Sequence, residues 1–175
     1  MGALLAQQLA ATTPCSALVL LASVPPGVLW AQPRALPHLA KLMPGILSGR
    51  PIRPSPSTLR AVVFNDLPNA EGEEIGEQLV PDSGRVFRSQ IFGLIRVPRD
   101  AVRCPVLCLS GGADRNVSAR ISRSITKRYD ATHHVFPERG HWLIAPSGVD
   151  EVAGVVLRWL QESGLRSGPH EVPAP

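Results

Sequence analysis

The sequence predicts an α/β protein: a short parallel sheet flanked by helices and interrupted by a helical insertion. Three observations carry this. "SALVLLAS" (16–23) and "PVLCLSGG" (105–112) are unbroken apolar runs bounded by turn residues, the pattern of strands covered on both faces. "THHVFP" (132–137) is a shorter third candidate. Helical stretches follow the last two, so the order helix, strand, long insertion, strand, helix, strand, helix implies a sheet built by right-handed crossovers.

The opening "MGALLAQQLA" reads as an apolar helix broken only by Gln7 and Gln8, which suits a helix packed on most sides. Met1 and Gly2 offer no side chain to cap its first N–H groups, so it resembles an interior element. "TTPCS" is a turn. The stretch 25–102 is rich in Pro and Gly, with short helices expected at 35–47 (around Pro37 and Pro44), 57–66, 71–80 and 83–95. Such pieces fold over a body rather than form a sheet of their own, either as a small helical subdomain or as a lid over a pocket. "SARISRSITKRYD" starts at a plausible N-cap, Ser118, and places Ile121, Ile125 and Tyr129 on one face. "DEVAGVVLRWLQES" starts at Asp150 and places Val152, Val155, Val156, Trp159 and Leu160 at helix spacing. The expected organisation is a core of 1–24 and 103–162, a lid of 25–102 and a disordered tail of 163–175.

At 175 residues and 44% hydrophobic the chain can bury one core. Its net charge of +4 comes mostly from scattered arginines (Arg34, Arg50, Arg60, Arg88, Arg103, Arg123, Arg158) without interleaved aromatics, which argues against nucleic-acid binding. Cys15, Cys104 and Cys108 form no C-x-x-C pair and have no His at ligand spacing, so buried free thiols in a reducing compartment are expected. "CSALVLLASVPP" has no basic residue ahead of it and is far shorter than the roughly 20 apolar residues of a membrane span. These features predict a cytoplasmic chain with no membrane span, no metal and no cofactor. His133 and His134 are read as structural, Trp142 as an anchor for the last helix in preference to a pocket wall, and Asp66, Glu71, Glu73, Glu74 and Glu77 as a solvated acidic face.

Two residues stand out chemically. Asp114 follows a strand on the glycine-rich turn of "CLSGGADRNVS", and His141 follows the next strand in "FPERGHWL". Ligands bind at the carboxyl ends of parallel strands, and a carboxylate and an imidazole arriving there together can act as orienting acid and general base. Taken singly, Asp114 could cap the helix that follows and His141 could be a structural histidine.

"PVLCLSGGAD" followed by "GHW" resembles the carboxy-terminal part of the α/β-hydrolase fold, where the acid follows the seventh strand and the histidine the eighth, in the chain order Ser, Asp, His. The opening "MGALLAQQLA" resembles the part of that family's Gly-His-Ser-Met-Gly elbow that begins just after the nucleophile. The resemblance implies a truncated α/β-hydrolase sheet of about three parallel strands with flanking helices and an inserted helical lid. It makes Asp114 and His141 catalytic, and Met1 a remnant of the oxyanion hole, its nitrogen an ammonium rather than a peptide N–H. Ser83, Ser89, Ser110 and Ser118 do not sit on a strand-to-helix elbow, so the triad serine is expected to lie outside this chain. The implied activity is hydrolysis of a small apolar ester or acyl substrate under an apolar lid (Leu36, Leu39, Leu42, Met43, Ile46, Val62, Val63, Phe64, Phe92, Ile95). The alternatives are an inactive truncated fragment serving as a binding or interaction module, and a relative of the epoxide hydrolases, dehalogenases or haloperoxidases. A missing amino-terminal half or a partner chain would cover the bare edge and apolar faces of strand 16–23.

Overall fold

A computed structural model describes residues 2–27 and 33–165. Helix α1 (Gly2–Thr12) leads into strand β1 (Leu18–Leu21). The insertion supplies α2 (Leu36–Ser48), β2 (Pro51–Ile52), α3 (Pro56–Thr58) running into a π-helical turn (Leu59–Val63), α4 (Asn69–Gln78), β3 (Asp82–Ser83) and α5 (Gly84–Ile91). The chain returns through a 3-10 turn (Arg99–Ala101) to β4 (Val106–Gly111), α6 (Ala119–Tyr129), β5 (Thr132–Phe136) and α7 (Val149–Glu162).

Strands β1, β4 and β5 form a three-stranded parallel sheet in that order, with Leu18 beside Val106 and Leu107 beside Thr132. Central β4 is buried throughout because both of its faces are covered. On one face Leu18, Leu20, Val106 and Cys108 pack with Ala10 of α1 and Ile125 of α6. On the other, Leu107, Leu109 and Phe136 pack with Val152, Val155 and Trp159 of α7. This alternation is the two-residue period of a strand between helical layers. It corrects the expectation of bare faces on strand 16–23: Leu18 and Leu20 are buried, and Val19 and Leu21 pack toward α7. The outer edges of β1 and β5 lack a strand neighbour among the described residues.

Helix α1 is not packed on most sides. Leu4, Gln7 and Ala10 are buried, whereas Leu5 and Leu9 are 54% and 63% exposed. Gln7, expected only as a break in an apolar run, is fully buried and fully bonded. Its Nε2 donates to Ser23 Oγ and to the Val24 carbonyl (both 3.1 Å), and its Oε1 accepts from the Tyr129 hydroxyl at 3.0 Å. Ser118 caps α6 by accepting from the Ile121 N–H. Helix α7 starts at a Gly148 cap ahead of Asp150, which places Asp150 and Glu151 in the first turn, where the helix dipole favours anions.

The insertion does form a small sheet of its own, correcting the reading that it would not: β2 and β3 pair antiparallel. Helices α3 and α5 start at Ser55 and Ser83 caps, and α2 ends at a left-handed Gly49. Leu59, Phe64 and Leu67 make a separate core with Ala145, from the loop beyond β5. The thiols also differ from expectation. Only Cys108, on β4, is buried; Cys104 is half-buried and Cys15 exposed, because both precede strands rather than lie in them. Of the tail expected over 163–175, only 163–165 are described, and they form a turn closing α7. Among the described residues no helix is long and apolar enough to cross a membrane, and no His, Cys, Asp and Glu cluster could hold a metal.

Candidate functional site

The loops that follow β4 and β5 are stitched together. Gly112 N–H donates to the Phe136 carbonyl (2.8 Å) and Ala113 N–H to the Arg139 carbonyl (2.9 Å). This brings Asp114 and His141 within contact at the carboxyl ends of neighbouring strands. The Asp114 side chain has no exposure to solvent. Its Oδ1 accepts from the N–H groups of Asn116 (2.6 Å) and Val117 (2.8 Å), while Oδ2 lies 2.9 Å from His141 Nδ1. Asp114 does not cap the helix that follows, a role Ser118 takes; its Oδ1 instead fixes the turn ahead of that cap, while Oδ2 faces the ring.

Asn116, which sequence reasoning passed over, places its Nδ2 3.1 Å from His141 Nε2. A carboxylate only accepts, so Nδ1 faces Asp114 as the donor, and the neutral ring then turns the lone pair of Nε2 toward the Asn116 amide. That tautomer leaves Nε2 basic, as a general base needs. The available signal was the Asp-x-Asn spacing of an Asx turn, in which the carboxylate fixes the backbone of the residue two ahead.

His141 and Asn116 border a cavity of about 530 Å³ that Gly2 and Ala3 also line. Among the lid residues named from the sequence, Leu39, Leu42, Val62 and Val63 line it, joined by Leu59, Phe87 and Ile91. Ile46 and Phe64 are buried, and Leu36 and Phe92 are half exposed. His38, Arg53 and Asp82 add polar groups to the wall. Trp142 borders the cavity and meets Phe64 edge-on at 5.4 Å, so of its two expected roles it takes the pocket wall, packing with the insertion rather than in the cluster that holds the last helix. Asn65 also reaches this loop pair, its Nδ2 donating to the Ala113 carbonyl at 3.1 Å.

Met1 lies outside the described residues. Ser110 is fully buried with its Oγ 2.9 Å from His133 Nε2, and Ser83 and Ser118 cap helices. His134 packs against Phe136 at 4.6 Å. Burial, helped by Arg123 and His134, holds His133 below its ordinary pKa. The acidic stretch is not wholly solvated, because Glu71 Oε1 accepts from the Ser147 N–H at 2.9 Å.

No family model and no curated protein sequence matches the chain. Solved structures do. MenH from S. aureus superposes with a TM-score of 0.64 at 17% identity, over 93% of this chain and 65% of MenH. A methylesterase from Arabidopsis gives 0.63 at 15% identity, over 92% of this chain and 66% of its own. A structure from a study of Nitrososphaera gargenis carboxylesterases gives 0.62 at 15% identity, over 93% of this chain and 62% of its own. The chain thus spans just under two thirds of these proteins. With its parallel sheet, flanking helices and strand-end loops superposing in this way, the chain has the α/β-hydrolase fold.

Proposed function

We propose that Asp114 and His141 are the acid and base of a Ser-Asp-His triad in an ester or acyl hydrolase, with the nucleophilic serine supplied by sequence ahead of Met1 or by a second chain. The observation that carries this is the pairing of a solvent-free carboxylate with His141 Nδ1 at 2.9 Å, on a ring that borders the cavity. In this reading Nε2 takes the proton of the serine hydroxyl as its oxygen attacks the acyl carbonyl. Asp114 stabilises the imidazolium, which then protonates the departing alkoxide. Water repeats the sequence to release the acid. The segment 25–102 serves as the lid, and its aliphatic wall suits a small apolar acyl group.

The Asn116 contact supports a second reading, a ligand-binding module without chemistry, because it occupies the nitrogen that catalysis would use. Fluorophosphonate labelling of the native source, followed by mass spectrometry, separates the two. A tagged serine in a peptide running into "MGALLAQQLA" is the expected result. Detection of the protein without a tag, with Met1 as its true terminus, overturns the enzymatic reading and leaves the module.

A further inference from the structure

Two of the three free thiols meet at the other end of the sheet. Cys15, in the turn entering β1, and Cys104, just ahead of β4, bring their Sγ atoms to 2.8 Å. The two strands are joined there by the Leu18 N–H, which donates to the Pro105 carbonyl at 2.9 Å. A disulfide closes its sulfurs to about 2.05 Å, so the two Sγ atoms already stand within a small movement of that bond. We propose that Cys15 and Cys104 are a disulfide-forming site, closed by a disulfide oxidant such as oxidised glutathione.

The two thiols are placed for different parts of the reaction. Cys15 is exposed and meets the oxidant. Its thiolate attacks one sulfur of the oxidised glutathione, forms a mixed disulfide and releases one glutathione thiolate. Cys104 then attacks the Cys15 sulfur and releases the second glutathione. The two protein thiols lose two protons and two electrons, and the oxidant takes up both to become two molecules of glutathione. Burial and the neighbouring Cys15 thiol push Cys104 up to about 11, and forming the mixed disulfide removes the second of these causes. Cys108 takes no part, being buried in β4 and pushed up to about 11 by burial.

The bridge would close a loop spanning 89 positions that contains the whole insertion. It lies at the amino ends of the strands, whereas Asp114 and His141 lie at their carboxyl ends. It would therefore act as a staple on the fold rather than as a block on the site. In a reducing compartment it would form only when oxidant rises.

The test is incubation of the full chain in glutathione buffers of increasing oxidised fraction, followed by iodoacetamide quenching and peptide mass spectrometry. The expected product is a Cys15–Cys104 peptide lighter by two hydrogens, with Cys108 still alkylated. Its Tm rises on the order of 10 °C above the reduced chain. Cys108→Ser should give the same product, and Cys104→Ser should stop at glutathione on Cys15. The urea-unfolded chain is the control for folding, because there all three pairings should form. A persistent mixed disulfide on the wild-type chain, a bridge to Cys108, or the same mixture of pairings with and without urea would each overturn the proposal.

Discussion

Gly111 and Gly140 meet backbone to backbone: a Cβ on Gly111 would lie 2.1 Å from the Gly140 carbonyl oxygen and 2.3 Å from that of Arg139. This approach lets the loops after β4 and β5 exchange hydrogen bonds, and so lets Asp114 reach His141. Gly111→Ala must push the loops apart. The expected cost is on the order of 2–3 kcal/mol in urea unfolding, with loss of the His141–Asp114 contact in the NMR spectrum of the ring.

Asp114→Asn keeps the shape of the turn and reverses the hydrogen-bond logic. Asn Oδ1 would stay with the N–H groups of Asn116 and Val117, leaving Nδ2 to face His141 Nδ1. Two donors cannot pair, so the ring proton moves to Nε2 and the base is lost. In the proposed hydrolase, assayed with its serine present, kcat should fall about 10⁴-fold with the fold unchanged. A fall of less than tenfold would remove Asp114 from the mechanism.

Gln7 ties α1, the loop after β1 and α6 together, so Gln7→Ala removes its bonds to Ser23, the Val24 carbonyl and the Tyr129 hydroxyl and leaves that carbonyl with Ser23 Oγ alone. The expected loss is about 1–3 kcal/mol in all. Tyr129→Phe in the same background should then cost less than it does alone, which a double-mutant cycle by chemical denaturation measures.

His133 should make the chain acid-sensitive. Its folded pKa is lowered from the ordinary histidine value of 6.5, first by burial and then by Arg123 and His134. Below 6.5 the unfolded chain takes up a proton that the folded ring resists, so this contribution is present above that pH and is lost as pH falls. Tm measured from pH 7.5 to 5.5 should fall, and His133→Gln should flatten the slope. An unchanged slope would mean the proton is accommodated beside Ser110.

Local pattern was enough for the architecture. The apolar runs at 16–23 and 105–112 had to be strands with two covered faces, and the spacing of Val152, Val155 and Trp159 had to be a helix laid on one of them. Ser118 announced its helix because a hydroxyl before an apolar period satisfies a free N–H. Asp114 and His141 were legible as residues at strand ends, since parallel sheets gather such positions. What one-dimensional pattern could not contain was contact between distant segments. That Asp114 uses its two oxygens for two tasks, that Asn116 covers Nε2, and that Trp142 turns toward Phe64 rather than α7 all follow from the approach of two loops. The same holds for Gln7 and for the Cys15–Cys104 pair, 89 positions apart, whose meaning appears only when β1 and β4 lie side by side. Periodicity records which face of an element is buried; only packing decides what it is buried against.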